Sequence, residues 1–258
     1  MKAGFLTVLP AVILSGAAAL SAHAAWADSE KFSLASGLDY STGKYGTAST
    51  TSILSVPVVG KYETGPWAFK LTVPYIRISG VGGVIPGMGR IKMGGATSKT
   101  QSGLGDTVAA ATYNLYVGSA SSFGVDVTGK IKFATADTNL GSGANDYAAQ
   151  IDAYQSMDRF TAMGSLGTKV LGSPAGITLN SVLYGSFGGV YQFTNQTSGG
   201  LDMSLAQRAS TATEGQQELT AYVSYKIDTH LKAQGYVLKG YSSGSPDHGF
   251  GARFTYGF

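Results

Sequence analysis

From Phe123 the chain alternates strictly. Phe123, Val125, Val127, Gly129, Ile131 and Phe133 fall on one side of an extended strand, and Asp126, Thr128, Lys130 and Lys132 on the other. A period of two is the signature of a strand with one apolar face. Trp67, Phe69, Leu71, Val73 and Tyr75 repeat it against Lys70 and Thr72, and Leu219, Ala221, Val223, Tyr225 and Ile227 repeat it against Glu218, Thr220, Tyr222, Ser224 and Lys226. Soluble strands usually run about 5 to 6 residues, whereas strands that cross a bilayer need about 9 to 11. The segments here are of the longer kind. Their apolar faces often begin or end in an aromatic, as the girdles of a barrel in lipid do.

The pattern predicts an all-β chain: a transmembrane antiparallel barrel of twelve strands. They cover about 32–45, 51–63, 67–79, 103–117, 123–134, 146–156, 159–171, 180–193, 198–210, 217–228, 231–242 and 248–258. Weak contrast around Ala109 to Ala111, and uncertain register in the sixth and ninth strands, leave ten or fourteen open. Connections after odd strands are the longer ones, 80–102 above all, while even strands lead into turns such as Thr64-Gly65-Pro66 and Met157-Asp158. Long outer loops and short periplasmic turns are the asymmetry of outer-membrane barrels, and an even count places both termini in the periplasm. The last strand sets Phe250, Ala252, Phe254, Tyr256 and Phe258 in one row. In this fold that row faces lipid, and the strand's backbone pairs with the first strand, because no spanning edge can stay unpaired.

The start of the chain supports export. One early lysine, an apolar run from about Phe5 to Leu20 and then small residues read as a signal peptide. Residues 1–24 form it when cleavage follows Ala24. Ala25-Trp26-Ala27 offers a second site three residues on, and 25–258 is then the barrel. Charged residues make up 13% of the chain, below the roughly 25% of soluble domains. The formal charge of +3 is too weak to suggest a nucleic-acid partner. There is no cysteine, which excludes disulfides and thiolate metal sites.

The polar face supplies the candidate lumen residues: Lys61, Lys70, Asp126, Lys130, Lys132, Asp152, Lys169, Glu218, Tyr222, Lys226 and Arg253. Both signs occur. Mixed charges can line a narrow path or pair across the interior and fill it, and twelve strands lie between the filled eight-stranded barrel and the open porin. Lys70, Lys130, Lys132 and Lys169 favour anions, and the carboxylates oppose that. In the connection from Gly80 to Gly103, Ile85, Met88, Arg90 and Met93 are candidates for a constriction. A merely solvated loop has no need of such apolar residues, and loops this long are usually functional or disordered.

Enzyme chemistry has little to build on. Beyond the leader the histidines are His230, in a predicted turn, and His248, beside Ser242, Ser243, Ser245 and Asp247 in a Gly/Ser/Pro loop. No nucleophile and base are fixed by that arrangement. The run from Gly103 to Val108 resembles a phosphate-binding glycine loop but lacks the following helix. Asp137, Asn139 and Asp146 offer oxygen ligands without the spacing or final Glu of a calcium loop. We therefore expect no catalytic residue, cofactor or metal.

Several blocks resemble one family: VPYIRISG (73–80), GLGDTVAAATYNL (103–115), LGSGANDYAAQID (140–152), GSLGTKVLGSP (164–174), YGSFGGVYQF (184–193) and YVLKGYSSGSPDHGFG (236–251). They are similar, in order and over nearly the whole mature chain, to the outer-membrane barrels labelled transporters of the MetA pathway of phenol degradation. The chain departs from the pattern at His248 and Thr168. The resemblance implies an outer-membrane transporter for aromatic or other small hydrophobic compounds. It defines no site, and a shared fold does not transfer a substrate. Phe258 resembles the terminal residue that the barrel-assembly machinery reads. The other expected partners are outer-membrane lipid, lipopolysaccharide and an unidentified small solute. A conduit for small molecules competes with a closed barrel acting through its surface loops and, more remotely, with a lipid-modifying enzyme.

Overall fold

A computed structural model describes residues 31–81, 83–85, 89–90, 98–117, 123–137, 140–174, 176, 178–211 and 214–258. The signal-peptide segment, Met88 and Met93 lie outside them. The long strands are β1 (Lys31–Gly43), β2 (Thr51–Thr64) and β3 (Trp67–Val81), then β6 (Ser98–Leu104), β7 (Thr107–Val117), β8 (Phe123–Phe133) and β9 (Asp146–Met157). They continue with β10 (Phe160–Val170), β11 (Val182–Gln192), β12 (Thr197–Ala206), β13 (Gln216–Lys226), β14 (Leu231–Gly240) and β15 (His248–Gly257). Two short strands, β4 (Val84–Ile85) and β5 (Gly89–Arg90), pair only with each other.

The thirteen other strands form one antiparallel sheet in which all but β6 pair with a chain neighbour and β1 pairs with β15. β6 and β7 lie end to end against β3 and make one stave, so the closed barrel has twelve. An 11-residue stave such as β8 reaches about 36 Å along its own axis. At a tilt of about 40° that is roughly 28 Å across a membrane, close to the hydrocarbon core.

Burial follows the period of two. On β3, Trp67, Phe69, Leu71 and Tyr75 are exposed, while Ala68, Thr72, Ile76 and Ile78 are buried. On β15, Phe250, Phe254 and Tyr256 are exposed and Arg253 is buried. The outside of the barrel is therefore apolar and the inside largely polar. No soluble protein could leave this outer face uncovered; in lipid it is the stable arrangement.

The boundaries differ from the sequence reading where the chain leaves the ladder early. β12 stops at Ala206 instead of continuing to 210, and Ala209 is buried in a cluster with Ile85, Leu171, Leu179 and Val182. The fourth stave begins at Ser98, not 103, and breaks after Leu104. The Gly103–Val108 run is that break. The Gly105 amide donates to the Pro74 carbonyl at 2.8 Å, and a Cβ there would collide with Ile76 and Pro74. Asp106, freed from the ladder, turns its carboxylate to the Ala136 amide at 3.0 Å and to Lys132 at 2.8 Å.

Candidate functional site

The interior has two kinds of neighbourhood. At Lys132 the charges are consumed. Its ammonium lies 2.8 Å from Asp106 and 3.1 Å from Asp146, and it donates to the Ser142 hydroxyl at 2.5 Å. Asp146 also accepts from the Gly172 amide at 2.9 Å. The Asp137 carboxylate accepts from the Leu104 amide at 2.9 Å. The two aspartates weighed as calcium ligands thus hold strand ends; Asn139 lies outside the described residues.

Lys70, Lys130 and Lys169 are different. Each is half-buried, and among the described residues none has a carboxylate within ion-pairing distance. Lys130 donates to the Gln150 amide oxygen at 2.8 Å, which also accepts from the Tyr184 hydroxyl at 3.1 Å. The Lys130 and Lys169 ammonium groups each lie 5.8 Å from the centre of the Tyr184 ring, within cation–π range.

The carboxylates sit deeper. Asp126 and Asp152 are 2% and 3% exposed. Asn114 donates to Asp126 at 2.6 Å, and Gln150 to Asp152 at 2.5 Å. They belong to one cross-strand row, Asn114–Asp126–Asp152–Ser165–Ser186–Ser204–Glu218. Elsewhere Lys61 meets Glu63 at 2.8 Å, and Arg253 lies 3.6 Å from Asp39, which also accepts from the Tyr236 hydroxyl. Tyr222 packs with Val190, Tyr236 and Leu238 on the inner wall. Lys226 is exposed at the end of β13, so it stands at the rim and not deep in the barrel as the alternation alone suggests.

Of the long connection between β3 and β6, the described part contains the β4–β5 pair, whose β4 side chains pack on two walls. Val84 packs with Tyr45, Ile53, Ile76, Ile78 and Leu140, from the first five staves and their loops. Its neighbour Ile85 packs with Leu171, Leu179, Val182 and Ala209, which flank β10, β11 and β12 on the far side. Adjacent residues of an extended strand point opposite ways, so β4 reaches both walls. Arg90 lies on β5; its side chain is outside the described set.

His248 sits in the ladder between Thr42 and Lys239. The Ser242 and Ser245 hydroxyls bond to each other and to strand β13 around Gly215 and Gln217. His230 meets the Gly257 carbonyl at 2.8 Å and stacks on Tyr256, tying the β13–β14 turn to the last strand.

No protein-family model matches the chain, and no curated protein does. Solved structures do. An outer membrane channel from Pseudomonas putida F1 superposes with a TM-score of 0.70 at 12% identity, over 91% of this chain and 97% of that one. A KdgM porin gives 0.52 at 11% identity, over 88% and 99%. The β domain of the Bordetella autotransporter Brka gives 0.51 at 13%, over 89% and 100%. At such identities the likeness is one of fold. The chain is an outer-membrane β-barrel by architecture, and a shared architecture does not by itself fix what a barrel does.

Proposed function

We propose that the chain is a narrow outer-membrane channel for small molecules, with both termini in the periplasm and the β4–β5 hairpin over the outer mouth. The observation that carries this reading is the set of half-buried lysines, Lys70, Lys130 and Lys169, without an ion pair among the described residues, inside a closed barrel with an apolar exterior. A side chain kept only to fill space has no use for an ammonium group, since burying an uncompensated charge costs free energy. The resemblance to the MetA-pathway barrels adds aromatic or other small hydrophobic compounds as the substrate class. Such a conduit needs neither catalyst nor cofactor. Phe258 would serve assembly, and the apolar outer face would meet lipid and lipopolysaccharide.

Liposome swelling with the purified, heat-modifiable barrel tests the proposal. Entry of small sugars with a size cut-off, or of small aromatic alcohols alone, supports passage. Entry of neither moves the assignment to a closed surface barrel. That second reading is favoured by the deep burial of Glu218 at 1% and Arg253 at 4% exposure.

A further inference from the structure

Four of the lysines share one row. The registers oppose Lys61 to Lys70, Lys70 to Ala110, Ala110 to Lys130, Lys130 to Ala148, and Ala148 to Lys169. Directly opposed residues project from the same face of a sheet, so the ammonium groups rise from a single line across six staves. Lys61 lies near the turn end of β2, which closes at Thr64, and Lys169 lies beside Val170 at the loop end of β10. Five inter-strand steps of about 4.8 Å make a line roughly 24 Å long. With staves tilted by about 40°, it climbs roughly 15 Å along the barrel axis. The row is thus a diagonal from one mouth toward the other.

Stability does not account for it. Like charges directly opposed on adjacent strands are destabilising, and Lys61 and Lys70 are so placed, with Glu63 offsetting the Lys61 charge alone. Lys70 also feels Lys130 and Arg253. Ala110 and Ala148, between the later lysines, are themselves partly exposed. They leave room in front of the wall where a longer side chain would fill it.

We propose that this row is a cationic ladder that passes small organic anions, carboxylates above all, between the two mouths. The assignment rests on the channel reading and names its solute class. A ladder of several modest sites, rather than one tight one, is what conduction requires, because the ion must leave as readily as it enters. Glu63 takes up the first charge of the row, Lys61, at 2.8 Å, and the other acids leave Lys70, Lys130 and Lys169 without an ion pair among the described residues. Asp106 and Asp146 are held by Lys132, and Asp126 by Asn114. Asp152 interacts with Lys130 and Lys70 but is buried behind Gln150. At the top of the ladder, Val182 stands opposite Lys169 and packs against Ile85. Ile85 of β4 therefore lies near the loop end of the ladder.

Single-channel recording in planar bilayers under a potassium chloride gradient, then with potassium acetate and potassium benzoate, tests this. Wild type should conduct with anion preference. Lys70→Gln combined with Lys130→Gln should lower the anion-to-cation permeability ratio about tenfold, the scale on which a charged cleft concentrates its counter-ion. Lys239→Gln, at an exposed position, should change nothing. Each variant is first checked for the heat-modifiable gel shift of a folded barrel. Conductance that is cation-selective, or a ratio unmoved by the double substitution, overturns the ladder and leaves the channel standing. A folded wild-type barrel that never conducts removes the channel reading and the ladder together.

Discussion

Two lysines on one strand, two residues apart, do opposite things. Lys132 has two carboxylates and a hydroxyl within bonding distance, at the point where β6 and β7 break and two loops return. Lys130 has one neutral amide and the face of a tyrosine ring. The first is a tie between segments that no ladder joins. The second is a charge held at a wall with nothing of opposite sign bound to it. A count of acids and bases inside the barrel treats the two alike, and gives near neutrality. What distinguishes them is which backbone delivers the carboxylates: Asp106 reaches Lys132 only because the stave is interrupted there.

The largest consequence is for stability. Lys132→Ala leaves Asp106 and Asp146 buried beside each other without their cation. Breaking a buried pair from one side costs on the order of 3–5 kcal/mol. Lys130→Ala removes one charged hydrogen bond, worth about 1.5–3 kcal/mol at most, and Gln150 keeps its bond from Tyr184. Urea unfolding followed by the gel shift should rank Lys132→Ala well below Lys130→Ala, while conductance selectivity should rank them the other way. Equal destabilisation by both would erase the distinction drawn here.

How much of this could be read from the chain depends on the turns. The exterior was legible over most staves, Ala109 to Ala111 and the sixth and ninth strands excepted, because lipid imposes one rule on every second residue; Phe250 to Phe258 follows it to the end. Part of the ladder was legible too. A tight turn fixes register, so Thr64-Gly65-Pro66 sets Lys61 opposite Lys70, and the Asp158 turn, with φ of 53°, sets Ala148 opposite Lys169. The step from Lys130 to Ala148 runs through the long β8–β9 connection, where spacing carries no register. The same holds for Ile85. Its apolar character marked the connection as more than a solvated loop, but only the packing with Leu171 and Val182 identifies the far wall. The break at Gly105 fell inside a strand predicted to run unbroken from 103 to 117, because a glycine permits a close approach without saying to what.

The next effect is local. Ile85→Ala removes the hairpin's contact with the far wall and leaves Val84 on the near one. Truncating a buried isoleucine costs about 2 kcal/mol or more, which makes hairpin release roughly 30-fold more frequent while the staves stay paired. Amide exchange at Val84, Ile85, Gly89 and Arg90 should quicken and brief closures in the current should become rarer, with the unfolding midpoint unmoved. If amide exchange quickens but the current is unchanged, the hairpin caps the mouth without gating it.

The smallest effect lies outside the span. In the β13–β14 turn the Asp228 carboxylate accepts from the His230 amide at 2.7 Å and the Leu231 amide at 2.8 Å. These bonds favour the ionised form and hold its pKa below the ordinary value, although the group is fully exposed. A depressed native pKa means that the stabilisation is complete above the unfolded value, near pH 4, and is lost as pH falls through the native one. The gap in urea midpoint between wild type and Asp228→Ala should be flat from pH 7 to about pH 5 and should narrow below about pH 4. Asp228→Asn, which keeps an acceptor oxygen but no charge, should show a smaller gap that does not titrate. Lys132 is bound by charges inside the barrel and Asp228 by neutral amides in water. A gap for Asp228→Ala that shrinks strongly with added salt would mean that Coulombic attraction to Lys226 and His230, and not the two amide bonds, holds this turn.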